Sequence, residues 1–422
     1  MRSDPNDPNR REFITTVAAA AAPYVITSSA LGAADRAPAN DRITMGMIGV
    51  GGRGSQVHEL FLKDSRIQCL AVCDVDTQRC GQAKARVDSK HGNRDCIEYG
   101  DFRRLLDRAD VDVAVIATPD HWHVPIAVRA CRQGKDVYCE KPLSLTIREA
   151  RAAVTVARRY ERVFQVGTQN RSNPAARVAC DFVRNGRLGE LRFVEVGTWH
   201  ASRPCGFPAQ PVPTHLDWDM FLGPAPWRPY NAALHRPKGW IPFRDFSGGG
   251  TTDVGAHLFD LAQLGLGTED TYPVEVVPLD PRKNGGRRVE FRYADGRVMY
   301  RRTPGNDVKF VGELGTIDMV TCAWVTVSYT QQELVLESRG LDKIHGYFNH
   351  NHAANFLDCV RTRRKPVADV ELGCRAAVIC HMGNIAQWLG RPLKWDPAKE
   401  EFVGDEEANL WLDRAKREPW TI

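Results

Sequence analysis

The sequence predicts an α/β domain with a doubly wound parallel sheet over residues 42–170, followed by an α+β domain over residues 171–422. The second domain is expected to contain a large open, mostly antiparallel sheet. Two observations predict this division: short apolar runs alternate with helical segments as far as residue 166, and alternating strands follow beyond residue 171. A third is a glycine-rich turn directly after the first apolar run, at residues 49–54.

The elements of the first domain follow from apolar runs and helix signals. Runs that are nearly all apolar predict strands buried on both faces, at residues 43–48, 67–73, 111–117, 137–139 and 163–166. Helices are predicted between them at residues 55–63, 125–133 and 146–160. The last of these begins with the capping box Thr146-x-x-Glu149.

The second domain combines helices with period-two strands. Residues 203–246 are rich in proline and tryptophan and show no clear periodicity. Helices are predicted at residues 174–185, 252–264, 350–361 and 374–389. Strands are predicted at residues 191–199, 274–278, 287–293, 297–302, 316–320, 325–329 and 333–336.

Composition limits the class of partner. The chain has 422 residues, enough for two hydrophobic cores, and its 57 basic and 52 acidic residues are interleaved. With a net charge of +5 and no basic stripe, a small-molecule partner is favoured over nucleic acid. The 12 cysteines form no CxxC pair or zinc-like spacing, so we expect buried free thiols, with disulfides left open for an exported chain.

The first 34 residues resemble a targeting segment. A twin-arginine pair, Arg10-Arg11, precedes a stretch without charges from residue 13 to residue 34 that is rich in Ala, Thr and Ser. This pattern predicts a Tat-type signal peptide, recognition by the Tat export machinery and a periplasmic location. A cytoplasmic protein remains the alternative if the leader is not functional. Pro23 and the weak hydrophobicity argue against a stable membrane span.

The glycine-rich turn predicts a dinucleotide site. Spacing of the type Gly-x-Gly-x-x-Gly lets backbone N–H groups approach a pyrophosphate at the start of a helix. Asp74 ends the second predicted strand, where an acid binds the adenosine ribose hydroxyls and repels a 2′-phosphate. NAD is therefore favoured over NADP, although the cations Arg53 and Arg79 lie nearby in the sequence.

Polar clusters follow three of the predicted strands. Residues 118–123 read Thr-Pro-Asp-His-Trp-His, residues 140–142 read Glu-Lys-Pro, and Gln169 and Arg171 follow the strand that ends at residue 166. Because ligands of open parallel sheets bind at the carboxyl ends of strands, these clusters are expected to face one crevice.

Together these residues resemble the Gfo/Idh/MocA family, which includes glucose–fructose oxidoreductase and inositol dehydrogenases. The resemblance covers nearly the whole chain after the leader, and its most specific markers are Glu140-Lys141-Pro142 and Asp253-x-x-x-His257. Residues 118–123 and 216–224 are similar to a Tat-exported subgroup that acts on sugars. The family's pattern implies a Rossmann NAD-binding domain, a homodimer or homotetramer, and a cis peptide bond before Pro142.

The resemblance also implies the catalytic residues, which we assign as Lys141, Asp253 and His257. Oxidising a sugar alcohol requires a base beside the nicotinamide, and Asp253 is expected to orient His257 on one face of a helix. Lys141 is expected to stabilise charge on the reacting oxygen.

The remaining predicted site residues surround this group. Cofactor-binding residues are expected to be Gly49, Gly51, Gly52, Arg53, Gly54, Asp74, Thr118, Pro119, Asp120, His123, Glu140, Lys141 and Gln169. Substrate-binding residues are expected to be His121, Trp122, Arg171, Trp199, Arg244, Asp253, His257 and His352. The pairs His121-x-His123 and His350-x-His352 also fit a metal site, but no metal is predicted.

The predicted function is hydride transfer between a hydroxyl carbon of a sugar or glycoside and a tightly held NAD. One alternative is an NAD-dependent glycosidase that acts by transient oxidation, elimination and re-reduction. A noncatalytic dinucleotide-binding or sugar-sensing protein is a third hypothesis, which the presence of Lys141, Asp253 and His257 together disfavours.

Overall fold

The structure is a computed structural model that describes residues 37–321, 325–330 and 349–421. The predicted leader, residues 1–34, and the predicted strand at residues 333–336 lie outside the described residues. The described residues from Ile43 onward belong to one compact unit. Within the described part of the chain, no helix is both long and apolar enough to cross a membrane.

The first sheet is the predicted parallel sheet, in the order β3-β2-β1-β4-β5-β6 with every pairing parallel. Its strands are β1 (Ile43–Ile48), β2 (Ile67–Cys73), β3 (Ile97–Tyr99), β4 (Val113–Ile116), β5 (Asp136–Cys139) and β6 (Phe164–Val166). β1, β4 and β5 are almost entirely buried, since helices cover both faces of the sheet. This burial explains why their sequences read as continuous apolar runs.

Helices follow each strand of this sheet except the last. They are α1 (Gly52–Leu62), α2 (Thr77–His91), α3 (Phe102–Leu106), α4 (Asp120–Arg132) and α5 (Ile147–Arg159). The predicted capping box starts α5, because Thr146 accepts the N–H of Glu149 and Glu149 accepts the N–H of Leu145. In contrast to the prediction, α4 begins at Asp120 and contains Pro125, so residues 120–123 lie on a helix rather than in a loop.

The second sheet is mixed and mostly antiparallel, in the order β13-β12-β11-β7-β10-β9-β8-β14-β15. Only the pairing of β7 with β10 is parallel. The strands are β7 (Leu191–Gly197), β8 (Glu275–Pro278), β9 (Arg287–Arg292), β10 (Val298–Arg302), β11 (Asp307–Gly312), β12 (Thr316–Thr321), β13 (Val325–Tyr329), β14 (Leu393–Asp396) and the two-residue β15 (Glu401–Phe402). The predicted fold class is confirmed.

Most helices of the C-terminal half pack on one side of this sheet or return to the first sheet. They are α6 (Pro174–Arg184), α7 (Trp218–Leu222), α8 (Ala232–His235), α9 (Gly250–Asp253), α10 (Gly255–Leu266), α11 (His352–Thr362), α12 (Val370–Leu389) and α13 (Glu406–Asn409). Phe356 of α11 contacts Phe61 and Tyr138, so a late helix completes a core on one face of the first sheet. The predicted domain boundary at residue 170 stays a prediction.

The predicted helix at residues 252–264 is divided in two. α9 ends at Asp253 and α10 begins at Gly255, with Val254 between them. The glycines before Asp253 allow close packing there, which sequence periodicity does not reveal. Among the described cysteines none forms a disulfide, and all except the half-buried Cys205 are buried, as expected for apolar thiols.

Candidate active site

A cleft of about 890 Å³ opens at the carboxyl ends of the parallel strands. Its walls come from the glycine loop, from the ends of β2, β4 and β5, from α9 and α10, and from residues 235–241. Ligands of doubly wound sheets bind at this position, so the cleft is the candidate active site.

The glycine loop leaves donors free at the start of α1. Gly49 has a φ of 83°, and a Cβ there would lie 2.7 Å from the carbonyl oxygen of Ala117, so the tight turn requires glycine. Gly51 caps α1 without a side-chain hydrogen bond, and no described atom lies within 4 Å of a Cβ placed on Gly52. Uncapped N–H groups beside open space suit the oxygens of a pyrophosphate.

Asp74 joins this loop to the end of β2. Its Oδ2 accepts the N–H of Val50 at 2.8 Å, and its Oδ1 accepts the N–H of Asp76 at 3.0 Å. Burial raises the pKa of Asp74, while the two backbone donors act in the opposite direction. Each carboxylate oxygen keeps a lone pair for a further donor, so Asp74 fits both a loop anchor and an acceptor for ribose hydroxyls.

Glu140 presents an unused acceptor to the cleft. Its Oε1 accepts from Arg53 at 3.1 Å and from Gln169 at 2.6 Å, whereas its buried Oε2 has no partner among the described residues. A buried acceptor without a donor is costly. The Glu140 side chain therefore fits a bound group that brings a hydroxyl or an N–H.

Lys141 and Asp253 form a close ion pair at the same strand end. The ammonium donates to Asp253 Oδ1 at 2.5 Å and to the Asp253 carbonyl at 2.7 Å, and the Lys141-Pro142 bond is cis. Burial alone would raise the pKa of Asp253, but the charge and hydrogen bond of Lys141 outweigh it and hold that pKa below its usual value. The pair therefore presents a carboxylate and an ammonium to the cleft.

His257 lines the cleft beside this pair. Its Nδ1 is buried without a partner among the described residues. Burial lowers the pKa of His257 well below its usual value, and the charges of Lys141 and Arg53 lower it further. The ring is therefore neutral at pH 7 and able to accept a proton. Asp253 was expected to orient this ring, but its carboxylate binds Lys141 instead, because the helix is interrupted between them.

Two domains of one known protein family match most of the chain. Residues 43–168 match the Gfo/Idh/MocA oxidoreductase family, NAD-binding Rossmann fold, and residues 197–318 and 336–422 match the C-terminal alpha/beta domain of the same family. The chain belongs to the Gfo/Idh/MocA oxidoreductase family. Its first domain is therefore an NAD-binding Rossmann domain.

Curated relatives of this Gfo/Idh/MocA chain include a glycosyl hydrolase family 109 protein from a Shewanella species. The two are 31% identical over 170 residues, which is 40% of this chain and 37% of that protein. The match thus spans well under half the length of the relative.

Solved structures of similar fold include two sugar-related enzymes. Aldose-aldose oxidoreductase from Caulobacter crescentus, complexed with glycerol, has a TM-score of 0.57 and 19% identity over 84% of this chain and 99% of that chain. The WlbA dehydrogenase from Bordetella pertussis, in complex with NADH and UDP-GlcNAcA, has a TM-score of 0.60 and 16% identity over 84% and 99% of the two chains. At these identities the similarity shows the fold.

The structure brings most predicted cofactor-binding residues of this Gfo/Idh/MocA chain to the cleft, with one exception. His123 is buried, and its ring nitrogens lie 2.7 Å from the Pro142 carbonyl and 2.9 Å from the Thr118 carbonyl. His123 therefore links two strand ends, and its assignment to the cofactor stays a prediction. The residues that line the cleft are Gly49, Gly51, Gly52, Arg53, Gly54, Asp74, Thr118, Pro119, Asp120, Glu140, Lys141 and Gln169.

Two residues of α4, His121 and Trp122, were predicted to bind substrate, and both are buried. His121 is fully buried, with Nε2 2.9 Å from the Phe221 carbonyl and its ring against Phe246. Trp122 reaches the cleft wall, but its indole N–H donates to the Met220 carbonyl and it is 4% exposed. His121 does not line the cleft, and its assignment to substrate stays a prediction.

The other polar substrate predictions are used in internal contacts. Arg171 is bound by Asp260 and Glu269, and His352 contacts Ser172 and the Val166 carbonyl. These partners lie far away in the sequence, and neither residue lines the cleft. Internal contacts hold both side chains, and their assignment to substrate stays a prediction.

Two further residues that were predicted to bind substrate, Arg244 and Trp199, do not line the cleft. The guanidinium of Arg244 lies 4.2 Å from the ring centroid of Trp388, and its assignment to substrate stays a prediction. Trp199 is 47% exposed and donates to Asn306, a lining residue, so it borders the cleft without lining it.

Sequence reasoning missed the part of the cleft that comes from residues 203–246 and the second sheet. Arg236, Lys238 and Trp240 line it from one turn. Asn306, directly before β11, and Thr321, the last residue of β12, also line it. The density of aromatic residues in this passage was a signal, but Trp218, Tyr230 and their neighbours form a small core of their own.

Proposed function

We propose that this protein transfers a hydride between a hydroxyl carbon of a sugar or glycoside and a nicotinamide cofactor that stays on the enzyme. The observation that carries the proposal is the position of Lys141, Asp253 and His257 in one cleft with the glycine loop. A reacting hydroxyl, a base and a dinucleotide can all meet there.

The cofactor would be held along one wall of the cleft. The N–H groups at the start of α1 would bind its pyrophosphate, Asp74 its adenosine ribose, and Glu140 a hydroxyl or N–H near the nicotinamide. NAD, when bound, supplies a ring carbon that accepts or returns a hydride. Asp74 favours NAD over NADP because its carboxylate repels a 2′-phosphate.

The three central residues would share the proton chemistry. His257, neutral at pH 7, accepts the hydroxyl proton, while the hydride leaves the same carbon of the sugar. The Lys141 ammonium stabilises negative charge on the reacting oxygen. Asp253 holds that ammonium in place through its carboxylate and its carbonyl.

The acid limb of the pH profile follows from the lowered pKa of His257. Oxidation needs the neutral ring, so kcat/KM for a sugar should stay level as the pH falls from 8 through 6.5 and should decline only below 6.5, the usual histidine pKa. His257→Gln should remove the acid limb together with most of the activity. A wild-type inflection at or above pH 6.5 would contradict the role of His257 as base.

We also propose that the chain is exported to the periplasm by the Tat machinery and retains its cofactor there. The twin-arginine leader supports export, and a compartment without free NAD would require loading before export and recycling on the enzyme. The structural relative called aldose-aldose oxidoreductase bears a name that fits such recycling. Purified wild-type protein should therefore release NAD on denaturation. Protein that is empty and becomes active only in millimolar free NAD would contradict retention.

A second candidate is a glycosidase that oxidises, eliminates and re-reduces its substrate. The observation that favours it is the 31% identity to a glycosyl hydrolase family 109 protein over the aligned part. In this reaction a transient ketone acidifies the neighbouring C–H, the glycosidic C–O bond breaks, water adds, and the hydride returns. Cofactor and substrate then end at their original oxidation states.

Product analysis tests both candidates. The cofactor-loaded protein would be incubated with free sugars and with aryl glycosides, and the products measured by mass spectrometry. An oxidoreductase should give keto-sugar or lactone in step with reduction of an acceptor sugar. Release of the aryl alcohol with no net redox change would favour the glycosidase. Absence of any sugar-dependent change in cofactor or product would reject both.

A further inference from the structure

A short turn at the cleft edge carries two cations without acidic partners. Arg236 and Lys238 follow α8, both are exposed, and both line the cleft. Among the described residues, no carboxylate forms an ion pair with either side chain. An unpaired cation facing a ligand cleft is available to a bound anion.

The backbone of this turn is held firmly. The N–H of Gly239 donates to the Arg236 carbonyl at 2.9 Å, and the N–H of Ile241 donates to the Lys238 carbonyl at 3.3 Å. A Cβ on Gly239 would lie 2.0 Å from the Ala233 carbonyl oxygen, so the turn packs directly on α8. Lys238 itself has a φ of 60°, a conformation that non-glycine residues adopt at a cost. The fold therefore maintains a costly backbone position that presents a lysine to the cleft.

The acidic residues that line the cleft are already engaged. Glu140 accepts from Arg53, Asp253 from Lys141, Asp74 from two backbone N–H groups, and Asp120 from Ser247 at 2.7 Å. Burial also raises the pKa of Asp120 well above its usual value. Within the described residues, none of these carboxylates forms an ion pair with Lys238.

Lys238 lies at the reacting end of the cleft. Burial raises the pKa of Asp253, and Lys141 lowers it. The ammonium of Lys238 lowers the same pKa by a smaller effect. The same segment contacts the opposite end through His235, whose carbonyl accepts from Arg79 beside the β2 end. The turn therefore contacts Arg79 at one side, and its Lys238 lines the same cleft as Lys141, Asp253 and His257.

From this arrangement we infer that Lys238 determines substrate specificity. It selects sugars that carry an anionic substituent, either a carboxylate or a phosphate, near the reacting hydroxyl. The inference rests on the proposed function, because it concerns the substrate of the same cleft. Arg236 adds a second positive charge on the entry side of the turn.

The test compares matched neutral and anionic sugars on the cofactor-loaded, full-length protein. Hexoses of the gluco, galacto and manno series would be supplied as the neutral sugar, the hexuronate and the 6-phosphate, and kcat/KM measured from the bound nicotinamide. Wild-type protein should prefer at least one anionic form over its neutral counterpart by about tenfold or more, as one charge-assisted hydrogen bond provides. The uronate and phosphate arms identify which anion is selected.

Two variants separate Lys238 from general charge effects. Lys238→Gln should reduce the preference for the anionic sugar to about onefold, mainly through a higher KM for that sugar. Lys283→Gln, on an exposed turn outside the cleft lining, should keep the wild-type preference.

Three outcomes would overturn the inference. Equal kcat/KM for neutral and anionic sugars in the wild type would do so, and so would a preference that survives in Lys238→Gln. Loss of bound NAD from Lys238→Gln with an unchanged preference would assign the lysine to the cofactor instead. If neither neutral nor anionic sugars alter the cofactor, the proposed function itself fails, which is a different result from any of these.

Discussion

Replacing Lys141 with alanine is expected to lower the rate of hydride transfer by about 100- to 1000-fold, the cost of removing one donor to a developing oxyanion. The ammonium lies 2.5 Å from Asp253 Oδ1 at the end of β5, so the variant removes the positive charge closest to that carboxylate. Single-turnover rates of cofactor reduction by a saturating sugar measure the effect. The content of bound NAD must be determined for both proteins, because Lys141 was also predicted to contact the cofactor.

Two controls keep this result interpretable. Lys283→Ala, on an exposed turn, should show the wild-type rate. Asp253→Asn keeps the size of the side chain but removes its charge, so it should slow the reaction less than Lys141→Ala if the lysine itself acts on the reacting oxygen. An unchanged single-turnover rate in folded, NAD-loaded Lys141→Ala would exclude Lys141 from the chemistry.

Replacing Arg171 with alanine is expected to destabilise the protein by about 3–5 kcal/mol, the range for removing one partner of a buried ion pair. Arg171 is 4% exposed and binds both oxygens of Asp260 at 2.8 and 2.9 Å and Glu269 at 2.7 Å. The variant leaves Asp260 buried without its cation. The free energy of unfolding in urea measures the loss, and kcat of the remaining folded protein should change little.

An exposed pair provides the comparison for Arg171. Arg282 is 90% exposed in its side chain and lies 3.4 Å from Asp280, so Arg282→Ala should change stability by less than about 1 kcal/mol. If Arg171→Ala kept wild-type stability but raised the KM for sugar, Arg171 would bind substrate as the sequence first suggested, and the internal role seen here would be wrong.

Local sequence signals were enough to bring Gly49, Asp74 and Glu140 to one cleft. Gly49, Asp74 and Glu140 each follow a strand whose apolar run is continuous, and a parallel sheet brings all its strand ends to one edge. Position along the chain was enough to place these residues together. The same reasoning located Lys141, because it directly follows Glu140.

The substrate side depended on contacts that sequence does not show. Arg171 was predicted to bind substrate because it follows a strand end, and His352 because of the family resemblance, but Asp260 and Ser172 contact them. Conversely, Lys238 lies in a passage without periodicity, and only the folded turn brings it to the cleft. Tertiary partners, rather than local pattern, decide which polar side chains remain free.

The most direct test of the central claim is to follow a deuterium atom from sugar to cofactor. The NAD-loaded protein would receive a sugar deuterated at its oxidisable carbons, one position at a time, and the released dinucleotide would be analysed by mass spectrometry. Hydride transfer in the cleft predicts that deuterium appears in the nicotinamide from one position of the sugar, and that Lys141→Ala abolishes this transfer. A sugar that binds and is processed while the cofactor never gains deuterium would contradict the assignment of this cleft as a site of hydride transfer.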